Sequence, residues 1–158
     1  MSEYPCRFSP VARFRMTAAE AFEFIGPTPA GFRLNSFIDH GEVAGPRLRG
    51  MIRAQGCGDW VVVRPDDIAD VDVRLTIETH DGALIYMTYG GVGLLGKGGA
   101  DRMRRGDRPG PVIPVRIAAR MTTASRPYAW VNGIQFVGVG ATTLGAPTRI
   151  EYDVYALE

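Results

Sequence analysis

Short stretches in which apolar and polar residues alternate recur along most of the chain, and this period of two is typical of β-strands. Gly and Pro residues separate the stretches, and no long helical period interrupts the series. Residues 21–25 fit a further strand or a helical turn about equally well. The strands that the pattern predicts cover residues 8–16, 32–43, 47–53, 59–63, 115–123, 128–139 and 149–157.

The strongest local signal is a β-hairpin over residues 71–91, where Asp81-Gly82 separates two alternating runs. Asp-Gly favours a two-residue turn, and with that loop His80 faces Ala83. One face of the hairpin then carries Val73, Leu75, Ile77, Thr79, Leu84, Tyr86 and Thr88. The other face mixes charged and apolar side chains and carries Asp72, Arg74, Thr76, Glu78, His80, Ala83, Ile85, Met87 and Tyr89. Such a mixed face is typical of a ligand-lined cavity or a subunit interface.

Length and composition indicate one domain over residues 1–158, with 46% hydrophobic residues and a formal net charge of +1. This balance excludes general disorder and gives no reason to expect nucleic acid or an anionic membrane as a partner. No apolar run reaches the ~20 residues of a membrane span, and the N-terminus has no signal-peptide pattern, which predicts a cytoplasmic protein. Many strands without covering helices favour an all-β fold, a single antiparallel β-barrel of about eight strands. One short helix is predicted at 100–105, inside a long loop over 90–114.

Five segments resemble an uncharacterised bacterial family, the domain of unknown function 3237 (also uncharacterised protein family 0311). They are GPTPAGFR at 26–33, the GxxxGPRLRG pattern at 41–50, DWVVVRPD at 59–66, DVDVRLTIETHDGALIYM at 70–87 and PYAWVNGIQFVGVG at 127–140. The resemblance covers nearly the whole chain and implies a small antiparallel β-barrel without naming an activity. The chain departs from the family at 121–125, where MTTAS replaces an aromatic-acidic stretch.

The candidate catalytic residues are Asp72, Arg74, Glu78 and Tyr86. The first three share one face of a strand, so burial of that face would mark a functional site, whereas exposure would make them ordinary surface charges. The predicted substrate-binding residues are Asp59, Trp60, Met87, Tyr89, Tyr128, Trp130 and Asn132. Two of these have simpler alternatives, because Trp130 fits a core position and Asp59 fits a residue that satisfies turn amides.

The segment GVGLLGK at 91–97 matches glycine-rich nucleotide motifs, but no helix is predicted directly after it, and Gly98-Gly99 replace the Ser or Thr of a P-loop. A flexible loop or a lid over a barrel mouth is therefore favoured over a nucleotide site. Pro109, Pro111 and Pro114 predict that strand pairing resumes only at Val115. Two histidines and two cysteines lack ligand spacing, so we expect neither a metal nor a cofactor.

These features predict a small-molecule-binding barrel, most simply a cofactor-independent acid–base enzyme of the isomerase, cyclase or lyase type. Its substrate would be a small, partly apolar molecule held in the lumen. The alternatives are a non-catalytic carrier or sensor of a small hydrophobic ligand and a structural homo-oligomer. Homo-oligomerisation is expected because Val73, Leu75, Ile77 and Leu84 form a second apolar stripe.

Overall fold

A computed structural model of the chain describes residues 3–158. Along those residues, none of the helices has the length and apolar character that crossing a membrane requires. The strands are β1 (Phe8–Thr28), β2 (Gly31–Ala44), β3 (Arg49–Ile52), β4 (Gly58–Val63), β5 (Ile68–Thr79), β6 (Leu84–Leu94), β7 (Val112–Thr122), β8 (Gln135–Thr143) and β9 (Arg149–Leu157). The helices are α1 (Gly99–Arg104) and a 3-10 helix (Arg126–Gly133).

The strands form one closed antiparallel ring, which confirms the predicted β-barrel. Hydrogen bonds run in the order β1-β9-β8-β7-β6-β5, and β2 pairs with β1 to complete the circle. The short strands β3 and β4 share one position between β5 and β2, where β3 pairs along one half and β4 along the other. Closure leaves the barrel wall eight strands wide and removes the free sheet edges.

The β5–β6 hairpin differs from its predicted register by one residue. Thr79, rather than His80, pairs with Ala83, and its amide donates to the Ala83 carbonyl at 2.8 Å. The loop therefore holds three residues, 80–82, and Gly82 adopts a φ of +86° that favours glycine. The Thr79 hydroxyl also donates to Oδ1 of Asp81 at 2.6 Å, which fixes the longer loop. The predicted two-residue turn is wrong.

This one-residue slip exchanges the two faces of β6, because side chains alternate with a period of two. Met87 now pairs with Leu75 and Tyr89 with Val73, so the inward face is largely apolar and carries no charged side chain. The buried inward side chains of the hairpin are Val73, Leu75, Ile77, Thr79, Ile85, Met87 and Tyr89. Three of the four residues in the stripe that predicted an oligomer belong to this core, so that argument fails, and oligomerisation itself stays a prediction.

Several predicted boundaries also change. The open alternative at 21–25 resolves to strand, because β1 continues through a series of register shifts to Thr28. Strand β6 continues to Leu94 and β7 begins at Val112, so strand pairing resumes before Val115, and Pro114 pairs with Ala141. The predicted strand at 128–139 is wrong in its first half.

The first half of that segment is the 3-10 helix, which closes one end of the barrel. Pro127 stands in its first turn, where proline suits a helix start. Val131 is fully buried, and Trp130 meets Phe136 edge-on with ring centroids 6.0 Å apart. The loop after β6, which carries α1, lies at the opposite end of the barrel, so a cavity within the lumen opens on the α1 side.

Candidate active site

A cavity of about 560 Å³ occupies the α1 end of the lumen. This volume suits a small organic molecule. Most of its wall is apolar and includes Phe22, Leu34, Val61, Val71, Leu95, Ile113, Val115, Leu144 and Ile150. Its charged side chains are Glu20, Asp59, Asp107 and Arg108.

Asp59 points into this lumen because β4 places it among inward-facing neighbours. It pairs with Ser36 of β2 on one side and with the buried Val73 of β5 on the other. The β4–β5 pairing stops after Asp59 and resumes only at Val62. The Asp72 amide faces this gap and donates to Oδ1 of Asp59 at 2.9 Å. The carboxylate therefore satisfies a strand amide rather than the predicted turn amides.

The environment of Asp59 favours its protonated form. The pKa of the carboxyl is raised from its ordinary value of 3.8 to about 7, mainly by burial; the hydrogen bond from the Asp72 amide opposes this shift and the nearby charge of Asp72 adds to it. Protein surrounds the carboxyl, yet the residue keeps partial contact with solvent through the cavity. Near neutral pH, Asp59 is thus present both as an acid and as a base, and both forms are open to a bound molecule.

Two buried tyrosines extend the polar part of the site. Tyr89 and Tyr152 meet edge-on, with ring centroids 5.7 Å apart. Burial raises the pKa of each hydroxyl, and the charge of Asp59 adds to both shifts. The Tyr152 hydroxyl is within hydrogen-bonding reach of Thr142, which lines the cavity. Both tyrosines therefore remain neutral donors behind the cavity wall.

A family model described as "Protein of unknown function (DUF3237)" matches residues 6–157. The chain belongs to this family. It is 32% identical over 107 residues to a UPF0311 protein of Rhodopseudomonas palustris, a match that covers 64% of this chain and 66% of that relative's length. The resemblance read from the sequence motifs is confirmed.

Solved structures share the whole fold. A crystal structure described as a beta-barrel like protein from Acinetobacter baumannii AYE has a TM-score of 0.81 and 28% identity, and the match covers 99% of each chain. A second, described as an enzyme from Penicillium herquei, has a TM-score of 0.68 and 19% identity, and covers 100% of this chain and 98% of that one. At that identity, the likeness to the fungal protein shows the fold alone.

In this DUF3237 protein the four predicted catalytic residues lie outside the barrel. Arg74 forms an ion pair with Asp72 at 3.3 Å, and their side chains are 46% and 56% exposed. The side chain of Glu78 is 50% exposed and lies 3.6 Å from Arg53, and Tyr86 is exposed on the same exterior face. The predicted enclosure of this face is wrong: the slip pairs the charged side of β5 with Leu84, Tyr86 and Thr88 of β6 instead of the apolar Ile85, Met87 and Tyr89, and this side faces solvent. A catalytic role for these residues stays a prediction.

The predicted substrate-binding residues divide among four places. Asp59 lines the cavity, with Tyr89 just behind it, while Met87 is fully buried in the core. Trp60 alternates with Asp59 along β4 and so faces outward, with the Arg74 guanidinium 5.1 Å from its ring centroid. The remaining three belong to the 3-10 helix at the closed end.

Those three residues hold the closed end together. The Tyr128 hydroxyl donates to Asp81 Oδ1 at 2.8 Å. Trp130 packs against Phe136 of the core. The Arg47 guanidinium lies over the indole ring, 4.2 Å from the ring centroid. The Asn132 side chain accepts from the Thr123 amide at 2.8 Å and donates to the Thr123 carbonyl at 3.0 Å. None of the three lines the cavity that contains Asp59, and their role in substrate binding stays a prediction.

The loop that carries α1 forms one side of the cavity mouth and is fixed by its own contacts. Asp67, directly before β5, accepts hydrogen bonds from the amides of Gly98 and Ala100 at 2.8 and 2.9 Å. Leu95 and Ala100 are buried. The glycines of the 91–97 motif have a structural role at Gly91, where an added Cβ would lie 2.2 Å from the Arg116 carbonyl oxygen of β7.

A second depression lies outside the barrel wall, between β2, β3 and β5. Its volume of about 780 Å³ is larger, but it is more open to solvent and includes the exposed Glu78 and His80. Between residues 3 and 158, no three His, Cys, Asp or Glu side chains lie close enough together to hold a metal ion. The lumen is therefore the candidate site, because it alone of these two depressions combines enclosure with a perturbed carboxyl group.

Proposed function

We propose that the lumen is the active site of a cofactor-independent enzyme that performs acid–base chemistry on a small, partly apolar molecule. One observation carries the proposal: a carboxyl group with a pKa of about 7 lies in the wall of an otherwise largely apolar cavity. A proton-transfer group is most effective when its pKa is close to the working pH. Asp59 meets that condition through burial.

The chemistry that suits this site is transfer of one proton within the substrate. The Asp59 carboxylate removes a proton from a carbon or oxygen atom acidified by a conjugated carbonyl group, and the bonding electrons move onto the carbonyl oxygen. Return of the same proton at another atom gives an isomerised product. In a cyclisation, the anion first adds to a double bond of the same molecule, and the atom that receives the electrons of that double bond takes up the proton; neither route consumes an oxidant or reductant. Ser36 and Thr142 line the cavity and carry hydroxyls that can donate to the developing oxyanion.

The fungal protein described as an enzyme has the same fold, so the fold is compatible with catalysis. The largely apolar wall also favours a second candidate, a carrier or sensor that binds such a molecule without changing it. The two functions differ in what Asp59 must do. An enzyme needs its carboxyl group to exchange a proton with the ligand, whereas a carrier needs only the shape of the cavity.

Hydrogen–deuterium exchange separates the two. Cyclic and aryl ketones with exchangeable C–H groups would be incubated in D₂O with the wild type, with Asp59→Asn and with Glu42→Gln, and exchange followed by proton NMR. Glu42 is a suitable control because its side chain is 57% exposed on the exterior of β2. We expect the wild type and Glu42→Gln to accelerate exchange of at least one ketone, with a rate that rises as pH passes about 7, and Asp59→Asn to lose this acceleration. Ketone binding with no exchange by any variant would favour the carrier.

A further inference from the structure

The charges at the cavity mouth are unevenly distributed. In the ring of strands, the β1–β2 hairpin lies opposite β6 and β7, so the loop that joins β6 to β7 faces that hairpin across the opening. This loop carries five basic and two acidic residues over 95–111. On the hairpin side, the charged residue of the cavity wall is Glu20. An anion entering the cavity is therefore attracted to the α1 side of the mouth.

Arg108 is the basic residue of that loop that lines the cavity. The other arginines of the loop are engaged elsewhere: Arg104 pairs with Asp101 at 2.9 Å, and Arg105 lies 3.7 Å from Asp107. The Arg105 pair also occupies Asp107, the acidic residue next to Arg108. Arg108 itself has no hydrogen bond or ion pair to any of the residues described in the structure. Its guanidinium is thus available to a ligand.

The backbone around Arg108 is held in place on both sides. The Arg102 guanidinium donates to the Pro109 carbonyl oxygen through two nitrogens, at 2.6 and 3.1 Å. The Asp107 amide donates to the Arg102 carbonyl oxygen at 2.9 Å, and Pro109 is buried. A side chain that starts from a fixed backbone loses less entropy when it binds a ligand than one on a free loop.

The distance from the mouth to Asp59 follows from the strand geometry. Asp59 lies level with Val73, whereas Ala69 lies level with Gly93 near the mouth, four residues along β5. Four residues span roughly 13 Å of strand, or about 10 Å along the axis of a barrel with tilted strands. A molecule that reaches Asp59 with one end therefore places its other end close to the α1 loop.

Resting on the proposed function, we infer that the substrate is an apolar molecule with an anionic group, such as a carboxylate, about 10 Å from its reacting end. Arg108 binds the anion at the mouth, the aliphatic and aromatic wall encloses the body, and Asp59 meets the reacting atoms. Arg108 is then a specificity-determining residue. The planar guanidinium suits this role because it can bind a carboxylate or sulfonate through two parallel hydrogen bonds.

A pair of fluorescent probes tests the inference independently of catalysis. 1-Anilinonaphthalene-8-sulfonate and N-phenyl-1-naphthylamine share one ring system, but only the first is an anion, so their dissociation constants differ by the effect of the charge. Each would be titrated into the wild type, Arg108→Gln and Arg104→Gln. Arg104 is the matched control because it belongs to the same loop, and neither Arg104 nor its partner Asp101 lines the cavity. Val61→Trp, which fills part of the cavity, shows whether the probes bind in the lumen.

We expect Arg108→Gln to weaken binding of the sulfonate about tenfold and to leave binding of the neutral probe within twofold, since one charge-assisted contact is lost. Arg104→Gln should change neither, and Val61→Trp should weaken both. The inference would be overturned if Arg108→Gln changed the dissociation constants of the two probes by the same factor. It would also be overturned if the sulfonate did not bind the wild type, or if Val61→Trp did not weaken binding of the probes. If the neutral probe still binds in the lumen, the anionic substrate is refuted while the proposed acid–base function stands.

Discussion

Replacement of Asp59 by Asn tests the physical basis of the site without a known substrate. Asn has nearly the same shape, and its side-chain oxygen can still accept the Asp72 amide that now lies 2.9 Å from Oδ1. The substitution replaces one carboxyl oxygen by an amide nitrogen and removes the ability to ionise, and only the loss of ionisation makes the effect depend on pH. Any effect of pH on the difference in stability between the two proteins therefore reports the pKa of Asp59 in the folded state.

The direction in which pH changes the free energy of unfolding follows from when each state binds the Asp59 proton. The unfolded chain ionises this carboxyl near pH 3.8, whereas the folded protein holds the proton until about pH 7. As pH rises through this interval, ionisation favours the unfolded state of the wild type, so the contribution of Asp59 to stability is complete below pH 3.8 and lost above pH 7. At 1.36 kcal/mol per pH unit, the interval corresponds to about 4 kcal/mol, of which about 3 kcal/mol falls between pH 5 and pH 8.

Urea unfolding at pH 5, 6, 7 and 8 measures the effect. The free energy of unfolding of Asp59→Asn, relative to that of the wild type, should increase by about 3 kcal/mol across this range and level off above pH 7. The exterior control Glu42→Gln should differ in stability from the wild type by less than about 1 kcal/mol across this range, because its side chain is 57% exposed and a surface ion pair contributes little. A flat difference for Asp59→Asn as well would refute the raised pKa and, with it, the acid–base proposal.

Two matched pairs test the packing that surrounds the site by urea unfolding. Gly91→Ala should destabilise the barrel by about 1–3 kcal/mol, because its Cβ would lie 2.2 Å from the Arg116 carbonyl oxygen. Gly90→Ala should change stability by less than about 0.5 kcal/mol, because the nearest atom to its Cβ is 3.7 Å away. Equal effects of the two substitutions would show that β6 and β7 do not approach so closely. Met87→Ala should cost about 2–5 kcal/mol because the side chain is fully buried, whereas Met51→Ala, at a residue 54% exposed, should cost little. A stable Met87→Ala variant would place Met87 outside the core.

The alternation of apolar and polar residues was sufficient to predict an antiparallel barrel, because that pattern reports directly which side of each strand is buried. The helix predicted at 100–105 agrees with α1 to within one residue at each end. The family resemblance was also readable, since its motifs are local strings of residues. Asp59 was among the predicted ligand-contacting residues, although the sequence offered no reason to prefer it over the charges of the hairpin.

The choice of site depended on a detail that local sequence does not determine. Asp81-Gly82 fits both a two-residue and a three-residue loop, and the contacts of Thr79 and Tyr128 with Asp81 select the longer one. Tyr152 carried no signal beyond its place in an alternating strand, yet closure of the barrel brings β9, β6 and β4 around one point. The sequence by itself determined which residues form strands and that one side of each strand is buried. Only the tertiary structure decided which polar groups share the lumen. A one-residue change in register reverses the faces of a strand, and residues distant in sequence come together only when the ring of strands closes.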